Sequence, residues 1–151
     1  MKKLLTLLLI IIVLTGCSKY NNEKNEYTNS IKELKDIKES SNKYPFNLEV
    51  VLDRLTDKEV RYQVILDNVE KNLDDVSMIA IHNKKTSDIY PSIGIFDEKE
   101  NLKVNKKPSG IILVGYIRYS GDIEDIDATF KVLVKYKIKD KEYKVHYVTK
   151  K

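Results

Sequence analysis

The 151-residue chain contains no tryptophan, one cysteine and two histidines. A single cysteine excludes an internal disulfide framework and a multi-cysteine metal site. His82 and His146 are 64 residues apart and have no third ligand at a fixed local spacing, so we interpret them as ordinary strand side chains. The Gly-x-Ser-x-Gly elbow of serine hydrolases is also missing. No catalytic residue, metal site or cofactor is therefore predicted, and we expect a protein that is not an enzyme.

The longest apolar run, from Leu4 to Leu14 with Thr6 as its one interruption, is about half of the roughly 20 residues that a membrane-spanning helix needs. Lys2 and Lys3 precede the run, and small residues follow it. This order of basic, apolar and small-residue segments is typical of a secretory signal and not of a permanent transmembrane helix.

The run ends in Leu14-Thr15-Gly16-Cys17, which resembles the bacterial lipobox. The resemblance implies that a signal peptidase recognises Leu14, Thr15 and Gly16, and that residues 1–16 are removed. Cys17 would then begin the mature protein and carry diacylglycerol on its thiol. Two acyl chains hold a protein stably at a bilayer, whereas one holds it only marginally. We therefore predict a lipoprotein anchored to the cell membrane and facing the extracytoplasmic side; the alternative is a buried, inert thiol.

The formal net charge is +4, from 27 basic and 23 acidic side chains. Removal of Lys2 and Lys3 with the signal leaves 25 basic side chains and a net charge of +2. A nucleic-acid-binding protein usually has a strongly basic total and a concentrated basic face. Nucleic acid is therefore not a predicted partner.

Residues 17–43 are predicted to form a flexible polar tether, because few apolar groups stand among alternating charges. As a coil, this segment would span roughly 25 to 30 Å. Ser30-Ile31-Lys32-Glu33 nevertheless fits a capping box, and Ile31, Leu34 and Ile37 recur at near-helical spacing. The pattern allows two or three helical turns, either transient or docked on the folded domain.

Residues 44–151 contain seven short runs that alternate apolar and polar side chains, at 47–54, 59–68, 76–83, 92–96, 110–119, 128–138 and 142–149. The run 110–119 is apolar on both faces and is predicted to be central. The last two runs predict a hairpin with a tight connection around Asp140 and Lys141, and only Leu133 breaks the alternation before it. We predict an all-β fold, an antiparallel immunoglobulin-like two-sheet sandwich, with a small barrel as the alternative.

One stretch of the chain resembles immunoglobulin-like domains of secreted bacterial lipoproteins. The resemblance lies in Tyr62-Gln63-Val64-Ile65-Leu66-Asp67-Asn68, then Leu73-Asp74-Asp75-Val76, and later the turn and strand start Lys107-Pro108-Ser109-Gly110-Ile111. It covers roughly residues 47–136 and contains no diagnostic motif. Such domains are mostly binding or accessory modules, so the resemblance implies a fold more than a function.

A row of lysines is the strongest charge asymmetry. Residues 129–151 hold eight lysines against Asp140 and Glu142, and the candidate contacts for anionic headgroups or wall polymers are Lys131, Lys135, Lys137, Lys139 and Lys144. The alternative is a solvated sheet face whose lysines discourage edge-to-edge strand pairing.

Two further clusters have a functional and an ordinary interpretation. The acidic run 121–127 could offer carboxylates to calcium, but it lacks the spacing of an EF-hand, so a solvated loop is the simpler interpretation. Five of the ten tyrosines could form an aromatic surface or half-buried packing: Tyr116, Tyr119, Tyr136, Tyr143 and Tyr147.

These patterns predict a lipid-anchored, extracytoplasmic binding or accessory module of the bacterial envelope. Its expected partners are the membrane, through the anchor, and another envelope protein or polymer. The alternatives are an exclusion or immunity lipoprotein directed against a phage or toxin and, least favoured, a small envelope hydrolase or metal-dependent enzyme.

Overall fold

A computed structural model describes residues 19–86, 88–107 and 109–151 in full, and residues 2–18 by their helical backbone alone. One long helix precedes the strands. The elements are α1 (Lys2–Asp36), β1 (Asn47–Thr56), β2 (Glu59–Asp67), β3 (Leu73–His82), β4 (Ser92–Ile93), β5 (Glu100–Leu102), β6 (Ile111–Arg118), β7 (Thr129–Ile138) and β8 (Lys141–Lys150).

The strands form two antiparallel sheets, which confirms the predicted sandwich. One sheet has the order β1-β2-β6; the other has the order β4-β3-β7-β8, with β5 also pairing with β3. The first, second and sixth strands correspond to strands A, B and E of an immunoglobulin-like sandwich, and β3, β7 and β8 correspond to C, F and G. Strand β5 lies between the predicted runs 92–96 and 110–119, where no strand is predicted.

The main core lies between the two sheets and is built from the alternating side chains of the strands. On β2, every second residue is buried: Val60, Tyr62, Val64 and Leu66. The same period on β7 buries Phe130, Val132, Val134 and Tyr136. Because a strand directs successive side chains to opposite faces, this period alone places the apolar row inward.

The β7–β8 hairpin forms as predicted. Ile138 pairs with Lys141, so its turn consists of Lys139 and Asp140, one residue earlier than predicted. Both turn residues have positive φ, 49° and 64°. This is the geometry of a type I′ turn, whose twist matches the flanking strands even though no glycine is present.

The prediction that the run 110–119 is a central strand is wrong. Strand β6 pairs only with β2 among the described residues, and it alternates buried and exposed side chains along its length. The doubly buried position belongs to β3, where Met78 and Ala80 face the main core and Ile79 and Ile81 face a second cluster. An apolar row on a strand shows which side chains could be covered, but the covering element comes from elsewhere in the chain.

Residues 19–36 also differ from the predicted flexible tether, because they form the second half of α1 and pack on the sandwich. The helix runs through Ser30, which the capping-box pattern placed at a helix start. An isolated helix of this length is marginal in water, and docking of one face supplies the missing stabilisation. The docked alternative for this segment is the arrangement in the structure.

Candidate functional site

The docking seam between α1 and the outer face of the β3-β7 sheet has an apolar centre. Leu34 is fully buried there and packs in a cluster with Ile79, Ile81, Leu133 and Ile95. The one break in the β7 alternation, Leu133, therefore faces the helix instead of the main core. We call this cluster the helix seam.

Aromatic side chains extend the helix seam toward the N-terminal end of the docked segment. The rings of Tyr27 and Phe96 have centroids 5.2 Å apart. The Tyr27 hydroxyl donates a hydrogen bond to the Tyr90 carbonyl oxygen at 3.1 Å. Partial burial at this contact raises the pKa of Tyr27 above its ordinary value. The helix is thus fixed against two loop segments as well as the sheet.

Charged groups flank the apolar centre, and three of the predicted lysines take part. Lys135 Nζ lies 2.9 Å from Glu26, Lys144 Nζ lies 3.0 Å from Glu33, and Lys131 Nζ donates to the Lys35 carbonyl oxygen at 2.9 Å. The last contact suits the negative end of a helix dipole. Three of the five lysines are therefore engaged by α1, two through glutamates and one through a backbone carbonyl oxygen.

Glu33 is the most connected carboxylate of this group, because it also lies 2.6 Å from Nε2 of His146. Partial burial alone would raise the Glu33 pKa, but hydrogen bonds from His146 and Lys144 outweigh it, so that the pKa is lowered. Glu33 therefore carries its negative charge at neutral pH and attracts both partners from β8.

The other two lysines of the predicted contact lie beyond the helix. Lys137 Nζ lies 2.8 Å from Asp75; hydrogen bonding to that carboxylate raises the lysine pKa, and the same bond lowers the pKa of Asp75. Lys139 lies in the hairpin turn. The five lysines thus do not form one free basic face. Their contact with anionic surfaces stays a prediction.

The outer edge of β8 is covered by the segment that follows α1. The Ser41 amide donates to the His146 carbonyl oxygen at 2.8 Å, and the hydroxyls of Ser40 and Ser41 accept hydrogen bonds from the amides of Val148 and His146. Edge strands with open main-chain groups invite pairing with other chains. This edge is closed by its own N-terminal segment.

Strand β6 presents the opposite situation. Its outward side chains Ile112, Val114 and Tyr116 are 58%, 42% and 42% exposed. The Tyr119 amide donates a hydrogen bond to the Lys58 carbonyl oxygen at 3.0 Å. This bond shows which alternate residues of β6 hydrogen-bond to β2. Because an antiparallel ladder alternates, the amides and carbonyls of Ile112, Val114 and Tyr116 point away from β2. We call this strand margin the β6 edge.

A cleft of about 350 Å³ lies beside the β6 edge. Its β6 side is Val114, Gly115 and Tyr116, and the facing wall comes from Thr86 and residues 88–92. Tyr62 and His82 also line it, with ring centroids 5.3 Å apart, and His82 lies 5.3 Å from the Tyr90 ring. Gly115 is required where the strand passes Tyr62, because a Cβ there would overlap the tyrosine ring.

Burial favours the uncharged forms of three side chains of the cleft, His82, Tyr62 and Tyr90. Burial lowers the pKa of His82, so the imidazole is neutral at neutral pH. Burial also raises the pKa of Tyr62 and of Tyr90 above the ordinary tyrosine value. The cleft is thus an aromatic, neutral surface with a single carboxylate in its wall.

The structure keeps the two histidines in different surroundings. His82 packs among aromatic rings at the main core, whereas His146 contacts Glu33 at the helix seam. Within the described residues, no group of three or more His, Cys, Asp or Glu side chains is arranged to hold a metal ion.

The acidic run 121–127 is a loop that packs against the sandwich. It contains a single 3-10 turn, Ile123–Asp125; Ile126 is buried in the core, and Arg54 donates to the Gly121 carbonyl oxygen. Asp127 lies 3.3 Å from Lys150 Nζ.

The five candidate tyrosines do not form one surface. Tyr136 is buried and stacks on Tyr143 at 5.4 Å, and Tyr147 packs against the main core. Tyr119 lies against the main core with the Arg54 guanidinium 5.9 Å from its ring centroid. Tyr116 alone of the five belongs to the β6 edge.

The side chains of the predicted signal and lipidation residues, Leu14, Thr15, Gly16 and Cys17, lie outside the described part of the structure. In the part of the chain that the structure describes, no helix is both long and apolar enough to cross a membrane.

Residues 1–18 match the family model of the prokaryotic membrane lipoprotein lipid attachment site. No curated protein and no solved structure matches the chain. The match confirms that the chain is a bacterial lipoprotein, anchored to a membrane by lipid.

Proposed function

We propose that the protein is a non-enzymatic binding module that diacylglycerol on Cys17 anchors to the extracytoplasmic side of the membrane. The observation that carries this proposal is the docked helix, which joins the lipid attachment region to the sandwich through the helix seam. Glu26, nine residues after Cys17, forms an ion pair with Lys135 of the sheet. At 1.5 Å per residue, about 13 Å of helix separates Cys17 from this ion pair.

A helical connection changes how the domain meets its surroundings. A flexible tether would let the sandwich sample all orientations, whereas a docked helix holds it close to the bilayer in a restricted orientation. The helix covers the outer face of the β3-β7 sheet, and the β6 edge belongs to the other sheet. The side of the sandwich that carries the exposed apolar strand is therefore the side away from the anchor helix, where a partner has access.

The binding role is supported by what the sandwich exposes. Exposed apolar side chains with open main-chain groups are typical of interaction surfaces in soluble domains. The histidines, by contrast, are engaged with aromatic rings and with Glu33, which suits structural roles. The partner is proposed to be another protein of the envelope.

The anchor is tested by Cys17→Ser, with Ser18→Ala as a control that keeps the thiol. We expect the wild type and the control to fractionate with membranes and to be digested when protease is added to intact cells or spheroplasts. We expect Cys17→Ser to keep its signal peptide or to leave the membrane fraction. Mature protein that stays protected from protease until the cells are lysed would contradict the extracytoplasmic placement.

The binding role is tested by placing a photo-crosslinking residue at Tyr116, on the β6 edge, or at Tyr20, an exposed tyrosine of α1. We expect a discrete higher-mass adduct in living cells from position 116 and none from position 20. Adducts of equal yield from both positions, or from neither, would count against a binding surface on the β6 side.

A further inference from the structure

The β6 edge is the least protected long strand margin of the sandwich. Strand β8 is closed by Ser40 and Ser41, and β1 carries charged residues and a register shift between Arg54 and Thr56. From Ile111 to Ile117, β6 has no charge, no proline and no register shift against β2. Natural sheets usually guard such a margin with one of these devices, so an unguarded strand indicates a surface that pairs.

The outer face at the β6 edge carries the apolar row Ile112, Val114 and Tyr116, next to a β2 row in which Gln63 and Arg61 stand opposite Val114 and Tyr116. Ile65 on β2 stands opposite Ile112, and Val51 on β1 lies two strands from Val114, across Gln63. A strand added to β6 would therefore meet both unpaired main-chain groups and an apolar row that its own side chains could extend.

The cleft beside Gly115 limits which strands can pair with the β6 edge. Side chains of an added strand alternate between the outer face and the cleft beside Gly115. A second copy of β6 would direct Leu113 and Ile117 inward, but these side chains are 5% and 1% exposed because they already fill the core of their own sandwich. They cannot enter the cleft. An extended peptide with free side chains on both faces can.

The charge of the cleft selects the side chain that enters it. Asp88 is its charged lining residue, and the rings of Tyr62, Tyr90 and His82 surround the remaining space. A lysine or arginine would gain attraction to the carboxylate and to the aromatic faces. The neutral imidazole of His82 offers no opposing positive charge.

Resting on the proposed binding function, we propose that the β6 edge binds an extended segment of another envelope protein by strand addition. The segment places apolar side chains beside Val114 and Tyr116 and a lysine or arginine in the cleft near Asp88. Main-chain hydrogen bonds supply affinity in this mode, and the pocketed side chain supplies selectivity.

The probe is a nine-residue peptide in which threonines alternate with valines and the central threonine is replaced by lysine. A second peptide carries glutamate at that position. Binding is measured to the lipid-modified full-length mature protein in phosphatidylcholine nanodiscs, which have no net charge to attract the lysine. We expect the lysine peptide to bind about tenfold more tightly than the glutamate peptide, and Asp88→Asn to reduce this preference.

Val114→Pro tests the strand addition itself. Proline removes the outward amide of residue 114 without removing a hydrogen bond to β2, and edge strands tolerate proline at such positions. We expect at least tenfold weaker peptide binding, whereas the control Val114→Thr keeps its amide and retains binding. Should Val114→Pro fail to fold, hydrogen exchange in the wild type replaces it. The amides of Val114 and Tyr116 must then gain protection when the lysine peptide is added.

Three results would overturn the inference. They are equal affinity for the two peptides, no binding of either at millimolar concentration, or a protein dimer that Val114→Pro dissociates. The last result would assign the edge to a second copy. A failure of the peptide assay with adducts still formed from position 116 in cells would reject this ligand while leaving the binding module intact. Loss of both would reject the binding module as well.

Discussion

Truncation of Leu34 to alanine should release α1 from the sheet without unfolding the sandwich. The Leu34 side chain is fully buried in the helix seam, and this cluster is separate from the main core. A buried Leu→Ala change costs about 2–5 kcal/mol, from lost transfer free energy and the cavity left behind. A detached helix of 18 residues is only marginally stable in water. The substitution should therefore destabilise the docked helix relative to the detached one.

The magnitude can be measured by amide hydrogen exchange. A loss of about 2 kcal/mol corresponds to roughly 30-fold faster exchange of amides that open with the helix, since 1.4 kcal/mol is a factor of ten. We expect this acceleration, or a larger one, for amides of residues 26–36, with the amides of β2 unchanged. Leu55→Ala is the matched control, because Leu55 is 48% exposed on β1 and its truncation should alter stability by about 0.5 kcal/mol or less.

Two results would refute this reasoning. Unchanged helix protection in Leu34→Ala would show that the polar contacts alone hold α1. Equal acceleration of helix and strand amides would show that the helix seam and the main core unfold as one unit, which the separation of the two clusters does not predict.

Three more predictions concern neighbouring positions. Leu133→Asp should release α1 but leave a folded sandwich, whereas Val132→Asp, one residue earlier and facing the main core, should unfold it; circular dichroism melts compared with helix-amide exchange separate the two effects. Because docking lowers the pKa of Glu33, ionised Glu33 stabilises the docked helix when the pH is above the ordinary glutamate pKa. This stabilisation is lost as the pH falls through the lowered pKa. The protection factors of the helix amides, which correct for the slower intrinsic exchange in acid, should therefore fall as the pH falls, and less so in Glu33→Gln. Replacing Lys139 with asparagine and Asp140 with glycine should raise stability by about 1 kcal/mol in a urea melt, because both residues have positive φ; a loss of stability would contradict the type I′ assignment.

Several features follow from the sequence because they depend only on neighbouring residues. The attachment signal is contained in about eighteen consecutive residues, so its layout was evident from the chain and the family match confirms it. The sandwich also followed, since a period of two places one row of a strand inward whatever its partner is. The hairpin was predicted to within one residue for the same reason.

Other features are decided only when distant segments meet. The lysine row was evident in the sequence, but its pairing with Glu26 and Glu33 joins residues about 110 positions apart. The break in alternation at Leu133 indicates a second apolar contact on β7, and the helical spacing of Ile31 and Leu34 indicates an apolar helix face. Neither pattern, however, predicts that these two surfaces pack against each other. The exposure of β6 likewise depends on which strand is placed in the middle of the fold. Sequence periodicity determines which side chains can be covered, whereas tertiary packing determines which ones are, because the covering surface comes from remote parts of the chain.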